Sequence, residues 1–116
     1  MRSIPITALA LLAAGAAEAQ IRNAPPPRSL ETAAYIYAVT NVCGFRIRPD
    51  PFRELFAKQG VTPDLVALRG PFGHKIQSMF VVMSNGLAQN RDAACAAAWT
   101  EFGRDGSVAA GLLEQG

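Results

Sequence analysis

The sequence has little of what active sites are usually built from. It contains one histidine and two cysteines, and only 17% of its residues are charged. His74 has no second histidine and no free cysteine to complete a metal site, and no serine lies in a G-x-S-x-G motif. No C-x-x-C or C-x-x-C-H motif is present, which excludes a thioredoxin-type redox site and covalent haem. We therefore predict no catalytic residue, no cofactor and no metal, and hence a non-enzymatic protein.

The chain also lacks a strong charge of either sign. Its formal net charge is +2, whereas nucleic-acid-binding domains cluster many basic residues on one face. The segment from Gly70 to Lys75 contains glycines and a lysine, but it lacks the spacing of a phosphate-binding loop, and Pro71 removes one backbone amide. We predict a turn between helices at this point and no nucleic-acid partner.

The N-terminus has the pattern of a secretory signal peptide over residues 1–19. Arg2 gives a positive start, residues 4–14 form an apolar run too short to span a bilayer, and Ala17-Glu18-Ala19 is an A-x-A cleavage site. The alternative is a buried N-terminal helix. Cleavage would leave a mature protein that begins at Gln20, has no membrane span and is periplasmic or secreted.

The two cysteines, Cys43 and Cys95, both follow the predicted signal. In an oxidising compartment, an even number of cysteines in a short chain favours a disulfide. Both lie on the apolar stripe of a predicted helix, so we expect a buried bridge that joins two helices. The alternative is two buried free thiols.

The remaining sequence predicts an all-α domain of five or six helices over residues 29–116, closed by the disulfide. Residues 20–28 contain three consecutive prolines and predict an extended spacer. Residues 45–48 alternate apolar and basic, but the run is too short for more than an extended connector. Predicted caps such as Ser29 and Asp50, Pro-initiated starts and glycine stops such as Gly44 delimit the helices. The helices are expected at about residues 30–43, 51–60, 63–70, 71–88, 93–103 and 108–113.

Two segments are candidates for binding a partner. Four basic side chains lie close together in the sequence and fit an anionic partner, such as an envelope component or an acidic protein surface, or else form a solvated face: Arg46, Arg48, Arg53 and Lys58. The run from Met79 to Met83 is apolar nearly all round the helix, which is typical of a buried central helix. Alternatively, its methionines provide an adaptable groove for unfolded clients.

The chain resembles uncharacterised small periplasmic helical proteins of alphaproteobacteria that combine a signal peptide with one cysteine pair. The resemblance covers about residues 33–113 and includes a closing segment of the form C-x₃-W-x₂-F-G-x₃-S-x₃-G-L-L. The matching residues are Cys43, Gly44, Cys95, Trp99, Phe102, Gly103, Ser107, Gly111, Leu112 and Leu113. It implies compartment and architecture and transfers no functional residue. The plan is also similar to that of the periplasmic acid-stress chaperones.

Taken together, the sequence predicts an exported, non-enzymatic periplasmic protein that binds a protein or envelope partner. A holdase-type stress chaperone, using the helix from Met79 to Leu87, is the first alternative. A small enzyme inhibitor is the second, since an inhibitor needs no catalytic residues.

Overall fold

The structure is a computed structural model that describes residues 24–116. The predicted signal peptide and the beginning of the predicted spacer lie outside the described residues. Within them the chain forms four α-helices, one short 3₁₀ helix and a two-stranded antiparallel ribbon. The fold is therefore mostly helical, as expected, but the described residues contain four α-helices rather than the predicted five or six, together with one short ribbon.

Helix α1, Pro27–Cys43, begins earlier than predicted, and Ser29 is not its cap. Pro27 occupies the start of the helix, where its fixed φ angle suits the conformation and its missing N–H is not needed. Ser29 therefore lies inside the first turn, where it is buried and donates a hydrogen bond to the side chain of Gln59. The predicted stop at Gly44 is confirmed, since this residue has a left-handed φ of 76°.

The ribbon was not expected from the sequence. Strand β1, Phe45–Ile47, pairs with β2, Leu113–Gln115, so that Arg46 lies opposite Glu114. Each strand has only three residues, too few to show a period of two. The predicted connector is thus a strand because a distant segment pairs with it.

Helix α2, Pro49–Ala57, follows the ribbon and buries Phe52 and Phe56, whose rings lie 4.8 Å apart. It begins at Pro49 rather than at the predicted Asp50-Pro51 pair, and no side chain caps it. A turn ends at Gly60, whose φ is 73°. The next element is a 3₁₀ helix, Pro63–Val66, in place of the short α-helix that the sequence predicted.

Helix α3, Gly73–Ala88, confirms the longest predicted helix but not its burial on all sides. Ile76 is fully buried, while Met79, Met83 and Leu87 are half-buried against the core. The opposite side of the helix is exposed. The central helix of the domain is instead α1, which contributes seven buried residues along its length: Ser29, Leu30, Ala33, Ala34, Ile36, Ala38 and Val39.

Helix α4, Arg91–Phe102, is joined to the end of α1 by the Cys43–Cys95 disulfide. The two Cα atoms lie 5.7 Å apart, as the predicted bridge requires. Closure of a loop of this length restricts the unfolded chain and stabilises the fold by about 4 kcal/mol. Both cysteines are only half-buried, so the expected burial of the bridge is wrong.

The helix predicted at residues 108–113 does not form. After α4 the chain folds back, and the amides of Ser107 and Val108 donate to the carbonyls of Thr100 and Glu101. The amides satisfy carbonyls at the end of α4, which have no partner within that helix. Gly111, at a φ of 75°, then directs the chain into β2.

One core unites these elements. It contains buried apolar residues from all four helices, from both strands and from the loops: Leu30, Ala33, Ala34, Ile36, Val39, Phe45, Phe52, Phe56, Val61, Val66, Ile76, Ala98, Phe102, Leu112 and Leu113. Phe45 of β1 and Leu113 of β2 belong to this core, so the ribbon anchors the C-terminal segment to the helices. The same arrangement creates a surface cleft.

Candidate functional site

A polar cleft of about 660 Å³ opens beside the ribbon. We call it the ribbon cleft and define it by six of its side chains: Arg48, Trp99, Arg104, Asp105, Glu114 and Gln115. Its volume is within the range of small-molecule binding sites. Its side chains come from four segments of the chain, so it exists only in the folded domain.

Local structure explains how each polar side chain reaches the cleft. Arg48 directly follows β1; its N–H donates to the Leu112 carbonyl at 2.8 Å, and its guanidinium lies 3.4 Å from the Gly111 carbonyl. Arg104 and Asp105 are exposed in the turn that ends α4. Glu114 and Gln115 are on β2. The ribbon and the turn therefore fix the backbone positions from which these groups project.

Trp99 forms the aromatic wall of the cleft and is half-buried. Its ring lies 5.5 Å from that of Phe45, with an angle of 32° between the planes. A Cβ atom on Gly103 would lie only 2.5 Å from the indole, so the glycine backbone packs directly against the ring. Trp99 and Gln115 also line a second, smaller cleft beside the disulfide.

The structure separates the four basic residues that the sequence grouped. Only Arg48 lines the ribbon cleft. Arg46 pairs across the ribbon with Glu114 at 3.6 Å. Arg53 pairs with Asp50 at 2.7 Å on α2. Lys58 lies in a different groove, beside the loop before β2. With about 100° of rotation per residue, Arg53 and Lys58 project in directions about 140° apart.

Sequence analysis missed most of the cleft. Arg104, Asp105, Glu114 and Gln115 belong to no motif, and residues 108–113, which lie between the two pairs, are predicted to form a helix. The local signal that favours a loop is the pair of glycines in this stretch, Gly106 and Gly111. The pairing of β2 with β1 is not indicated by the residue pattern of either strand.

A further groove, of about 490 Å³, is more apolar and lies between the four helices. Tyr35, Leu55, Met83 and Val108 contribute to it. Burial raises the pKa of Tyr35, and the nearby carboxylate of Glu101, at 3.5 Å, raises it further. This environment favours the neutral phenol.

The outer face of α3, defined here by Ser78, Val81, Val82 and Asn85, is exposed and uncharged. Val81 is 53% exposed and Val82 is 71% exposed. No charged residue occurs from Ile76 to Asn90. An exposed apolar pair on an uncharged helix face is a feature of surfaces that meet other apolar groups.

The described residues provide neither a metal site nor a membrane-spanning helix. His74 is exposed in the first turn of α3, and within residues 24–116 no three metal-ligating side chains cluster. In the same range, no helix has the length and apolarity needed to cross a membrane.

The fold and the cleft define a small, mostly helical domain, closed by a disulfide, with a polar surface cleft beside a short ribbon. Comparison with protein-family models, curated proteins and solved structures finds no match to this chain.

Proposed function

We propose that this chain is an exported, non-enzymatic protein that binds a component of the cell envelope through the ribbon cleft. The signal-like residues 1–19 support export. The Cys43–Cys95 bridge fits an oxidising compartment, because disulfides rarely persist in the cytosol. The location of the protein and its partner are both part of the proposal.

The observation that carries the proposal is the composition of the cleft. Two arginines, two acidic residues, a glutamine and a half-buried tryptophan line a single concave site. Exposed polar groups around a fixed aromatic wall recognise a ligand by hydrogen bonds and contact area. The site lacks a nucleophile next to a general base, which favours binding over catalysis.

The proposal is tested by co-sedimentation of the purified protein with isolated Gram-negative cell envelopes. The variant Arg48→Ala/Arg104→Ala should bind several-fold more weakly than the unmodified protein. The matched control is Arg53→Ala/Lys58→Ala, which also removes two positive charges, but outside the cleft, and should bind normally. Equal weakening of both variants would indicate nonspecific charge attraction, and absence of any binding would refute the proposed function.

A second function, that of a holdase-type chaperone, is favoured by the exposure of Val81 and Val82 on the outer face of α3. Exposed apolar side chains are what such a protein offers to an unfolding client. The test is suppression of the aggregation of reduced insulin. Val81→Gln/Val82→Gln should abolish suppression, whereas Val108→Gln, at another exposed valine, should not. If neither variant changes the aggregation, the outer face of α3 is not a client surface.

A further inference from the structure

The ribbon cleft carries charges of both signs in equal number. Among the lining residues, Arg48 and Arg104 contribute two positive charges, and Asp105 and Glu114 contribute two negative charges, of which Glu114 is also paired with Arg46 at 3.6 Å. A phosphate or another compact anion would gain from the guanidinium groups but would be repelled by the carboxylates. The lining therefore does not favour the purely anionic ligand expected from the basic residues in the sequence.

The same groups provide both hydrogen-bond donors and acceptors. Arginine only donates, ionised Asp105 and Glu114 only accept, and the amide of Gln115 does both. A ligand that satisfies them all must itself donate and accept at several closely spaced positions. Hydroxyl groups have this property, because each has one donor hydrogen and two acceptor lone pairs.

The exposed part of Trp99 adds an apolar surface among these polar groups. Packing against Phe45 and Gly103 holds the indole in place, so little conformational freedom is lost when a ligand contacts it. A sugar ring has a complementary shape: one face consists of aliphatic C–H groups, and hydroxyl groups surround its edge.

We infer that the ribbon cleft binds a short glycan segment, with one sugar ring against Trp99 and its hydroxyl groups bonded to the surrounding charged and amide side chains. The cleft volume of about 660 Å³ accommodates a few sugar rings. The inference rests on the proposed function, because it names the class of envelope component that the cleft recognises.

Trp99 is the only tryptophan of the chain, so intrinsic fluorescence reports on the cleft directly. The purified protein is titrated separately with the tetramer of N-acetylglucosamine, with inorganic phosphate and with an alanine tetrapeptide. We expect a saturable fluorescence change with the saccharide alone. Because the saccharide is neutral, raising the salt concentration should leave this response unchanged.

The variant Asp105→Asn/Glu114→Gln changes the side chains little in size but weakens the acceptors of the cleft and the Arg46–Glu114 pair, and it should bind the saccharide about tenfold more weakly. The control Asp50→Asn/Glu54→Gln makes the same change on α2 and should bind normally. Circular dichroism establishes that both variants are folded. Equal affinity of the two variants would contradict the role of the cleft carboxylates and overturn the inference.

Other responses overturn the inference in distinguishable ways. A response to phosphate alone would define an anion site, and a response to the tetrapeptide alone would define a peptide site. If the protein sediments with envelopes but does not respond to the saccharide, the glycan inference fails while the proposed function stands. If it neither sediments nor responds, both fail.

Discussion

Trp99 illustrates how a single residue serves both the core and the cleft. Its helical spacing relative to Phe102 predicts that both belong to the core. The structure buries Phe102 at 4% exposure but leaves Trp99 half-buried, because the ribbon covers only part of the indole. Helical periodicity identifies the side of α4 that faces inward. It does not show which side chains at the edge of that side remain partly exposed, because this depends on the distant segment that packs there.

The stability of two variants separates these environments. Trp99→Ala should lower the free energy of unfolding by about 1–3 kcal/mol, less than the roughly 3–5 kcal/mol typical of a fully buried aromatic side chain. Phe102→Ala should show that larger loss. Urea denaturation followed by circular dichroism measures both without relying on the tryptophan signal. A greater loss for Trp99→Ala than for Phe102→Ala would mean that the indole belongs mainly to the core.

The two tyrosines predict how stability depends on alkaline pH. Burial raises the pKa of Tyr37, whose hydroxyl donates to the Val66 carbonyl at 2.7 Å, and the pKa of Tyr35 is also raised. The folded protein therefore holds both phenolic protons more tightly than the unfolded chain. The resulting stability is complete below a pH of about 10 and is lost as the pH rises through the folded-state values.

Tyr35→Phe/Tyr37→Phe should therefore lose less stability than the unmodified protein on going from neutral to strongly alkaline pH. At neutral pH the variant should be less stable by about 1 kcal/mol per lost hydrogen bond. Urea unfolding at several pH values measures both effects, and the comparison cancels the titration of lysine. Parallel pH dependences would contradict the raised phenolic pKa values.

At the scale of elements, glycine and proline residues predicted the ends and starts of helices better than capping side chains did. Gly44 ends α1 as predicted because its left-handed φ suits glycine. The predicted caps Ser29 and Asp50 do not cap, because Pro27 and Pro49 start the helices earlier. A proline at the first helical position favours the start on its own, and sequence alone does not show which of several nearby prolines takes that place.

Glycine substitutions test this interpretation of the helices. Gly86 lies within α3 with no atom within 4 Å of the position its Cβ would take, and its φ is not positive. Gly86→Ala should therefore stabilise the protein by about 0.5–1 kcal/mol. Gly44 has the same open space but a positive φ, so Gly44→Ala should destabilise by about 1 kcal/mol. Thermal unfolding compares the two, and the same sign for both would contradict the assigned backbone conformations.

The ribbon and the loop before it could not be predicted from local pattern. Three-residue strands have no usable periodicity, and residues 108–113 match a helical spacing. The segment instead satisfies the carbonyl groups at the end of α4 and places Leu112 and Leu113 in the core. Since the cleft is built on this arrangement, the cleft was not predictable either.

Leucine and valine variants test where this C-terminal segment lies. Leu112→Ala should cost about 2–5 kcal/mol, because the side chain is fully buried. Val108→Ala should change stability by no more than about 0.5 kcal/mol, since Val108 is 51% exposed. A helix over residues 108–113 that buried Val108 together with Leu112 would give comparable losses for both variants.

At the scale of the whole molecule, the sequence predicted the elements that depend on covalent chemistry and composition. The Cys43–Cys95 bridge is present, and the chain between residues 24 and 116 is mostly helical. The half-exposure of the bridge was not predictable, because it depends on the cleft that Trp99 and Gln115 form beside it. The pairing of the two cysteines can be predicted from their number and from the expected compartment, whereas the exposure of the bridge depends on how the surrounding residues pack.

The central claim is that this is an exported domain stabilised by an intramolecular disulfide, and one mass measurement tests both parts. The full sequence is expressed in a Gram-negative host, and the intact protein from the periplasmic fraction is analysed without reductant. The account predicts a monomer that begins at Gln20 and is two hydrogen atoms lighter than its reduced form, a difference that Cys43→Ser/Cys95→Ser should abolish. A protein that retains Met1, remains in the cytoplasm and carries two free thiols would contradict the account.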